Sequence, residues 1–587
     1  MIGAMSTAPA PSSHDLVIVG GTPGGICAAI AAARQGLSVL LLERTTHVGG
    51  LPANGLGATD IATRALSGGL FRTFVERVKA HYVATYGADS EQVRVCSDGY
   101  HFEPSIGEKV LLGMLAEQPR IEVRLRRQFD ALAANVERVD GRLSAVRVTD
   151  LATGRIETCA GRAFVDATYE GDLAHAAGVP WATRREGTAD YHEPRAGRFY
   201  QAWGDPAIGD GSTGVGDDTI QAYNYRLCIT SDPANRVEIR KPEGYDRAEY
   251  ASLAEDLRLD RKPGLHRGEA EWDGIGRITN IVWLPNGKTD ANNQHLAFIS
   301  TDLPEENWPW PTADWAWRDR FASRLRNYIL GLFWFMQNDP EVPESFRRNA
   351  ARFGLARDEY ADNGHFPRQV YVREGRRILG EHCFIAQDAL PTAPGARPPI
   401  HPTAITASHY AIDSHAVHKR EAGRAHLDGF LSLGTKPYTV PYGVIVPRTV
   451  DNLWAPVPVS ASHLGFGTLR MEPCWMVLGE AAGAAAALAL RFGVAARTVP
   501  IERLQRELIA HRAVLIHYPD ADRDHPAFPG LQFIGVRGGI PAWEARLEDA
   551  ATAEDAARWS VLAGLARPVD AGGTRSQVLQ RIWAALG

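Results

Sequence analysis

The 587-residue chain has only six cysteines, Cys27, Cys96, Cys159, Cys228, Cys383 and Cys474, and no two of them form a Cys-x-x-Cys pair. That spacing argues against a vicinal redox disulfide and against a cysteine zinc site. Scattered thiols predict a reducing compartment, the cytoplasm. Blocks of Lys and Arg are lacking as well, and the formal net charge is only −6, so no nucleic-acid partner is expected. Residues 1–14, MIGAMSTAPAPSSH, have neither the basic start nor the apolar stretch of a signal peptide and read as a flexible tail. No uninterrupted run of 18 apolar residues is present. The alanine-rich stretch Trp475–Leu490 is short and suits close internal packing, so no membrane partner is expected either. What remains is 45% hydrophobic, enough for a large core divided into about two to four structural units.

Residues 15–43, DLVIVGGTPGGICAAIAAARQGLSVLLLE, hold the strongest positive signal. An apolar strand (Leu16–Val19), a turn (Gly20, Gly21, Thr22, Pro23, Gly24, Gly25), an alanine-rich helix and a second apolar strand ending at Glu43 follow one another. This order predicts a dinucleotide site, with the pyrophosphate at the positive end of the helix and the acid on the adenosine ribose. The middle glycine slot of the usual GxGxxG carries Thr22, and Pro23 suits a first helical turn. Arg44 and the doublet Gly49 and Gly50 complete the predicted cofactor residues. No second turn of this kind follows, so a built-in nicotinamide domain is not expected, and FAD fits better than NAD.

The ordered segments GGTPGG, LLER, HVGGL, GLGATDIATRALSGGL, YHFEP, FVDATYEGDLAHAAGV, QAYNYRLCIT, YVREGRRILGEH and SASHLGFGTLRMEPCWMVLGEAAGAAAAL resemble the large bacterial family of FAD-dependent oxidoreductases with a glutathione-reductase-type FAD domain. Some members carry a xanthan-lyase-like label. The resemblance spans nearly the whole chain. It implies an α/β fold: a Rossmann-type FAD-binding domain in two pieces (15–184 and 436–500), an inserted α+β substrate domain (185–435) and a C-terminal helical appendage (501–587). It also implies that the turn at Ala167 and Thr168 lies beside the nucleotide. A helix starting near Pro473, preceded by Arg470, is implied to point its N-terminus at the flavin pyrimidine edge, where its dipole stabilises negative charge.

Local patterns add detail. LSAVRVTD and RIETCAG read as a hairpin turning at Thr153–Gly154. Residues 317–339 have helical spacing without proline, with Phe333, Trp334 and Phe335 read as core. WPWP (308–311) cannot be regular helix, and its indoles are candidates to stack on a sugar or cover a pocket.

Removing hydride from an alcohol or amine requires a base, and histidine titrates near working pH. His463 is the first candidate, with a structural role in its loop as the alternative. His415 follows, and Arg376 or Arg373 of YVREGRR is expected at the active site. His409, Asp413, His415 and His418 fit no familiar metal spacing, so no metal is expected from them. His47 is placed to contact the cofactor, with noncovalent attachment as the default. The expected activity is oxidation of a small polar, hydroxylated substrate (sugar-like, cyclitol-like or a natural product), with electrons passing to oxygen or an external acceptor. A flavin-dependent double-bond reductase and a noncatalytic FAD-fold binding protein are the alternatives.

Overall fold

The computed structural model describes residues 13–201, 207–263 and 274–587. Of the predicted tail, residues 1–12 lie outside the described residues, while Ser13 and His14 open the first strand.

Strand β1 (Ser13–Val19), helix α1 (Pro23–Arg34), and strands β2 (Val39–Leu42), β3 (Ile121–Arg124), β4 (Arg142–Asp150) and β5 (Ile156–Asp166) build the first layer. β1 lies between β2 and β5, parallel to both, and β3 extends the parallel set beyond β2. The short strand Leu453–Trp454 returns from far along the chain to pair in parallel with β5. Covered on both faces, β1 and β2 are apolar without alternation, as buried parallel strands are. The predicted hairpin is present: β4 runs antiparallel to the first half of β5.

A second sheet is antiparallel throughout. β6 (Leu227–Thr230) sits between β8 (Lys288–Asn293) and β9 (Gly354–Ala356), and β7 (Thr279–Leu284) pairs with β8 at one edge. The proline-free stretch forms helix α2 (Trp315–Asn338), started by Asp314, whose side chain accepts from the Trp317 N–H at 2.8 Å. Phe333 and Phe335 are fully buried and Trp334 half-buried. The preceding WPWP segment forms irregular turns, and Trp310 is buried.

Helices α3 (His463–Leu469) and α4 (Glu472–Phe492) complete the first layer. α4 packs directly on α1: a Cβ on Gly479 would lie 2.0 Å from the Gly24 carbonyl oxygen, and one on Gly483 2.1 Å from that of Ala28. Among the described residues α4 is the one helix long and apolar enough to cross a membrane, and it is buried inside the protein. The helical C-terminal region places Leu504, Leu531, Trp559 and Leu579 in the same hydrophobic cluster as Leu16 and Ile26.

Candidate functional site

The turn after β1 is held by backbone geometry and one side chain. Gly20 has φ +106°, and a Cβ there would meet the Ala167 carbonyl oxygen at 2.6 Å. Thr22 uses its hydroxyl twice, donating to the Ala167 carbonyl (2.8 Å) and accepting from the Gly25 N–H (3.2 Å). The side chain in the middle slot therefore ties the turn to the end of β5 and caps α1. Glu43 is half-buried, its two oxygens accepting from the Gly21 N–H (2.9 Å) and the Thr45 N–H (2.7 Å).

This turn forms one wall of a cavity. Gly20, Thr22, Glu43, Arg44, His47, Gly50 and Thr168 line it. Gly21, Pro23, Gly24, Gly25, Gly49 and Ala167, predicted as cofactor residues, are not among its lining residues. Trp310 and Trp315 also line it, and Arg44 lies 4.1 Å from the Trp315 ring centroid. His47 is held by Glu108 (2.7 Å) and Asp362 (3.1 Å).

Acidic residues that sequence reasoning did not single out occupy the same cavity. Glu170 accepts from the Trp310 indole N–H at 3.1 Å. Asp172 takes both guanidinium nitrogens of Arg318 (2.6 and 2.9 Å) and is bound by Arg376 (2.7 Å), which places Arg376 directly behind the cavity wall. Burial would raise Asp172, but Arg318 and Arg376 outweigh it and hold the carboxyl below its ordinary value. Glu170 goes the other way: burial, with Asp172 adding to it against the opposing Arg318, pushes it up to about 7. Both stand in TYEGD, directly after the turn at Thr168, where two carboxylates beside a nucleotide strand were the available signal.

Buried carboxyls also set a pH dependence. Burial raises Asp166 to about 6 and Glu472 to about 8. A carboxyl raised in the folded state stabilises it most below the unfolded value, and the contribution is lost as pH climbs through the folded value. The unfolding midpoint is accordingly expected to decline from about pH 5 to pH 8. Glu472→Gln should flatten the upper part of that decline in a series of thermal melts.

The remaining predicted residues meet in a buried polar network beyond the cavity's end wall, where Gln369 and Val370 lead into Tyr371 and Arg373. Arg470 pairs with Asp413 (2.7 Å) and donates to the Tyr371 hydroxyl (3.0 Å). Asp302 is gripped from two sides, by Arg373 (2.7 Å) and by His415 Nδ1 (2.8 Å). His463 is one position removed: its Nδ1 lies 2.9 Å from Glu374 and its Nε2 3.0 Å from the Ser414 hydroxyl. The structure thus joins Arg470 and His415 through Asp413, whose carboxylate is 3.6 Å from His415 Nε2. His463 adjoins this network: its partner Ser414 directly precedes His415, and its partner Glu374 is linked through Gln221 to the His415 backbone N–H. His409 and His418 are engaged elsewhere, with Thr63 (2.7 Å) and Glu305 (3.3 Å).

Asp302 has a second face. It lines a further cavity with Asn293, Gln294, Phe298, Tyr328 and Phe430. Its partner His415 packs edge-on against Phe430.

A family profile described as FAD dependent oxidoreductase matches residues 15–508. The chain belongs to the FAD-dependent oxidoreductase family. No curated protein matches it at a significant level. Solved structures similar to parts of this flavoenzyme include the myxobacterial chondrochloren halogenase CndH, at 20% identity over 34% of this chain and 46% of that one, TM-score 0.22. The glycerol-3-phosphate dehydrogenase from Bacillus halodurans complexed with FAD is 11% identical over 34% of this chain and 44% of that one, TM-score 0.22. The thioredoxin reductase of T. acidophilum is 18% identical over 26% and 34%, TM-score 0.16. The flavoenzyme spans less than half the length of each of these structures.

The residues present fit FAD. The turn at Gly20–Gly25 offers a close-approach cradle at the start of α1, and Glu43 and Thr168 line the cavity beside it. Beyond it, Arg373 Nε, Asp413 Oδ1, Arg470 Nε, Glu472 Oε2 and Trp475 Nε1 are buried polar atoms without a hydrogen-bond partner. Such atoms are rare in native proteins. Their concentration around the start of α4 is what a site for a polar ligand leaves behind. Pro473 opens that helix, beside Glu472, which accepts from the Tyr169 hydroxyl at 2.5 Å.

Proposed function

We propose that this flavoenzyme oxidises a small hydroxylated molecule of the sugar, cyclitol or natural-product kind by removing hydride from the carbon that bears the hydroxyl. One observation carries the reading: Asp302 is shared between the His415 imidazole and the wall of a cavity in which Phe298, Phe430 and Tyr328 stand beside Asn293, Gln294 and Ser300. Aromatic faces with a few amides and hydroxyls suit a partly apolar, polyhydroxylated ligand. FAD, when bound, supplies a two-electron acceptor and hands the electrons on to oxygen or an external acceptor.

In this reading His415 takes the hydroxyl proton. Asp302 fixes the orientation of the imidazole and stabilises its charged form. Arg373 holds Asp302 ionised: burial raises its carboxyl, but Arg373 and His415 together bring it below the ordinary value. The cofactor would be held by Gly20–Gly25, Glu43, Arg44, Gly49, Gly50, Ala167 and Thr168, and Arg470 and Pro473 would adjoin its reactive end. The six free thiols support a cytoplasmic setting.

Anaerobic titration with sugars, cyclitols, amines and aromatic alcohols tests the reading. Bleaching of the flavin by a hydroxylated compound is expected. NADH or NADPH alone should reduce it poorly in stopped-flow mixing, because the chain has one dinucleotide turn. Rapid bleaching by micromolar NAD(P)H would support the double-bond reductase instead. A flavin that no compound reduces would leave the binding protein.

A further inference from the structure

Three clusters of acidic and histidine side chains among the described residues bring their ligand atoms within 4.8 Å of one another. Two contain their own cation. Lys288 Nζ sits inside the first, within 2.6 Å of Glu103, 2.6 Å of Asp358 and 2.8 Å of Glu359. Arg185 fills the second, pairing with both Asp217 and Asp428. The third, His382, Asp388 and His401, has no Lys or Arg paired with its carboxylate among the described residues, only two imidazoles.

We propose that His382, Asp388 and His401 form a binding site for a divalent transition ion of the zinc type. His382 Nε2 is 3.1 Å from one Asp388 oxygen and His401 Nε2 3.1 Å from the other. Ligands bound tetrahedrally at about 2.0–2.1 Å stand about 3.3 Å apart, so these separations already approximate the edges of a coordination polyhedron.

His401 Nε2 is enclosed by protein, with Asp388 Oδ1 as its near neighbour, so the carboxylate has an imidazole nitrogen at each of its two oxygens.

The cage is also held from behind. The Ile385 N–H donates to Asp388 Oδ2 at 3.0 Å, fixing the carboxylate at the start of the short helix Ala386–Ala389. The His401 N–H donates to the Thr439 hydroxyl at 2.9 Å, anchoring its loop to a strand. The two rings meet nearly edge to face, 5.0 Å apart and inclined at 74°.

Two imidazoles and one carboxylate select zinc, cobalt, nickel or copper over calcium and magnesium, which prefer oxygen. Three protein ligands leave one position for water. The ion would bind the segment after Arg377 to the segment before Asp413, and so brace both strips of chain that carry the active-site network.

The test compares the holoprotein with His382→Ala/His401→Ala. Both are stripped by chelator, equilibrated with zinc sulfate, desalted, and measured for metal and flavin, with calorimetric titration of zinc in parallel. The wild type should retain about one additional equivalent, and its thermal midpoint should rise with zinc. The double variant should keep its flavin and lose the equivalent. Disturbing groups behind a ligand typically costs 10–100-fold in affinity, so removing two ligands should weaken binding by about 100-fold or more. Asp388→Asn, which keeps both imidazoles, should also bind more weakly. Should the double variant lose flavin, the single His401→Gln variant replaces it. Equal metal content and affinity in wild type and a flavin-replete variant would overturn the site.

Discussion

Gly25→Val yields a colourless protein. A Cβ at this position would lie 2.1 Å from the Gly20 carbonyl oxygen and 3.0 Å from the Ala167 side chain. Neither the turn nor the end of β5 can retreat, because Thr22 bonds both. The start of α1 must therefore move away from the strand, and the close backbone approach on which a dinucleotide pyrophosphate depends is lost. The expected result is near-complete loss of the flavin bands after purification. Far-UV circular dichroism should stay close to that of the wild type, since the clash is local to the turn. A yellow Gly25→Val protein with wild-type flavin content would show that the pyrophosphate is held elsewhere.

The second large effect is expected at His415. If this imidazole takes the hydroxyl proton, His415→Ala should retain FAD and lower the rate of anaerobic flavin bleaching by substrate by about 10²–10⁴. Asp302→Asn, which leaves the imidazole without its charged partner, should fall between the variant and the wild type. His463→Ala is the decisive companion. That residue bonds Glu374 and Ser414 rather than Asp302. A fall of 10²–10⁴ there, with His415→Ala at the parent rate, would transfer the base to His463. Loss of FAD from His463→Ala would instead assign it a structural role in its loop.

The parts of the fold legible in sequence are those whose causes are local. β1, α1 and β2 follow from an apolar run, a turn and an alanine-rich segment read within thirty or so consecutive residues, and α2 from helical spacing without proline. α4 was placed by its proline and its small residues. The site is different because its contacts cross long stretches of chain. Asp302 meets His415 across 113 positions, and Glu374 meets His463 across 89. Nothing local marks Asp302 as a partner, so His463 stood first on its position before α4 alone. Tyr169 and Glu170 passed unnoticed for the same reason: their significance comes from Glu472 and Trp310, far along the chain.

The contact between α1 and α4 bears on the order of events during synthesis. Gly479 and Gly483 rest on the backbone of Gly24 and Ala28 with no space for another atom, and the sheet beneath takes its last parallel strand from Leu453–Trp454. A nascent chain therefore exposes its nucleotide turn long before the helix that covers it has left the ribosome. At roughly 5–20 residues per second, that interval lasts on the order of 20 to 90 seconds. The turn and the helix that closes it are therefore joined only after about 450 further residues have been made, so a cofactor site that needs both cannot be complete early in synthesis.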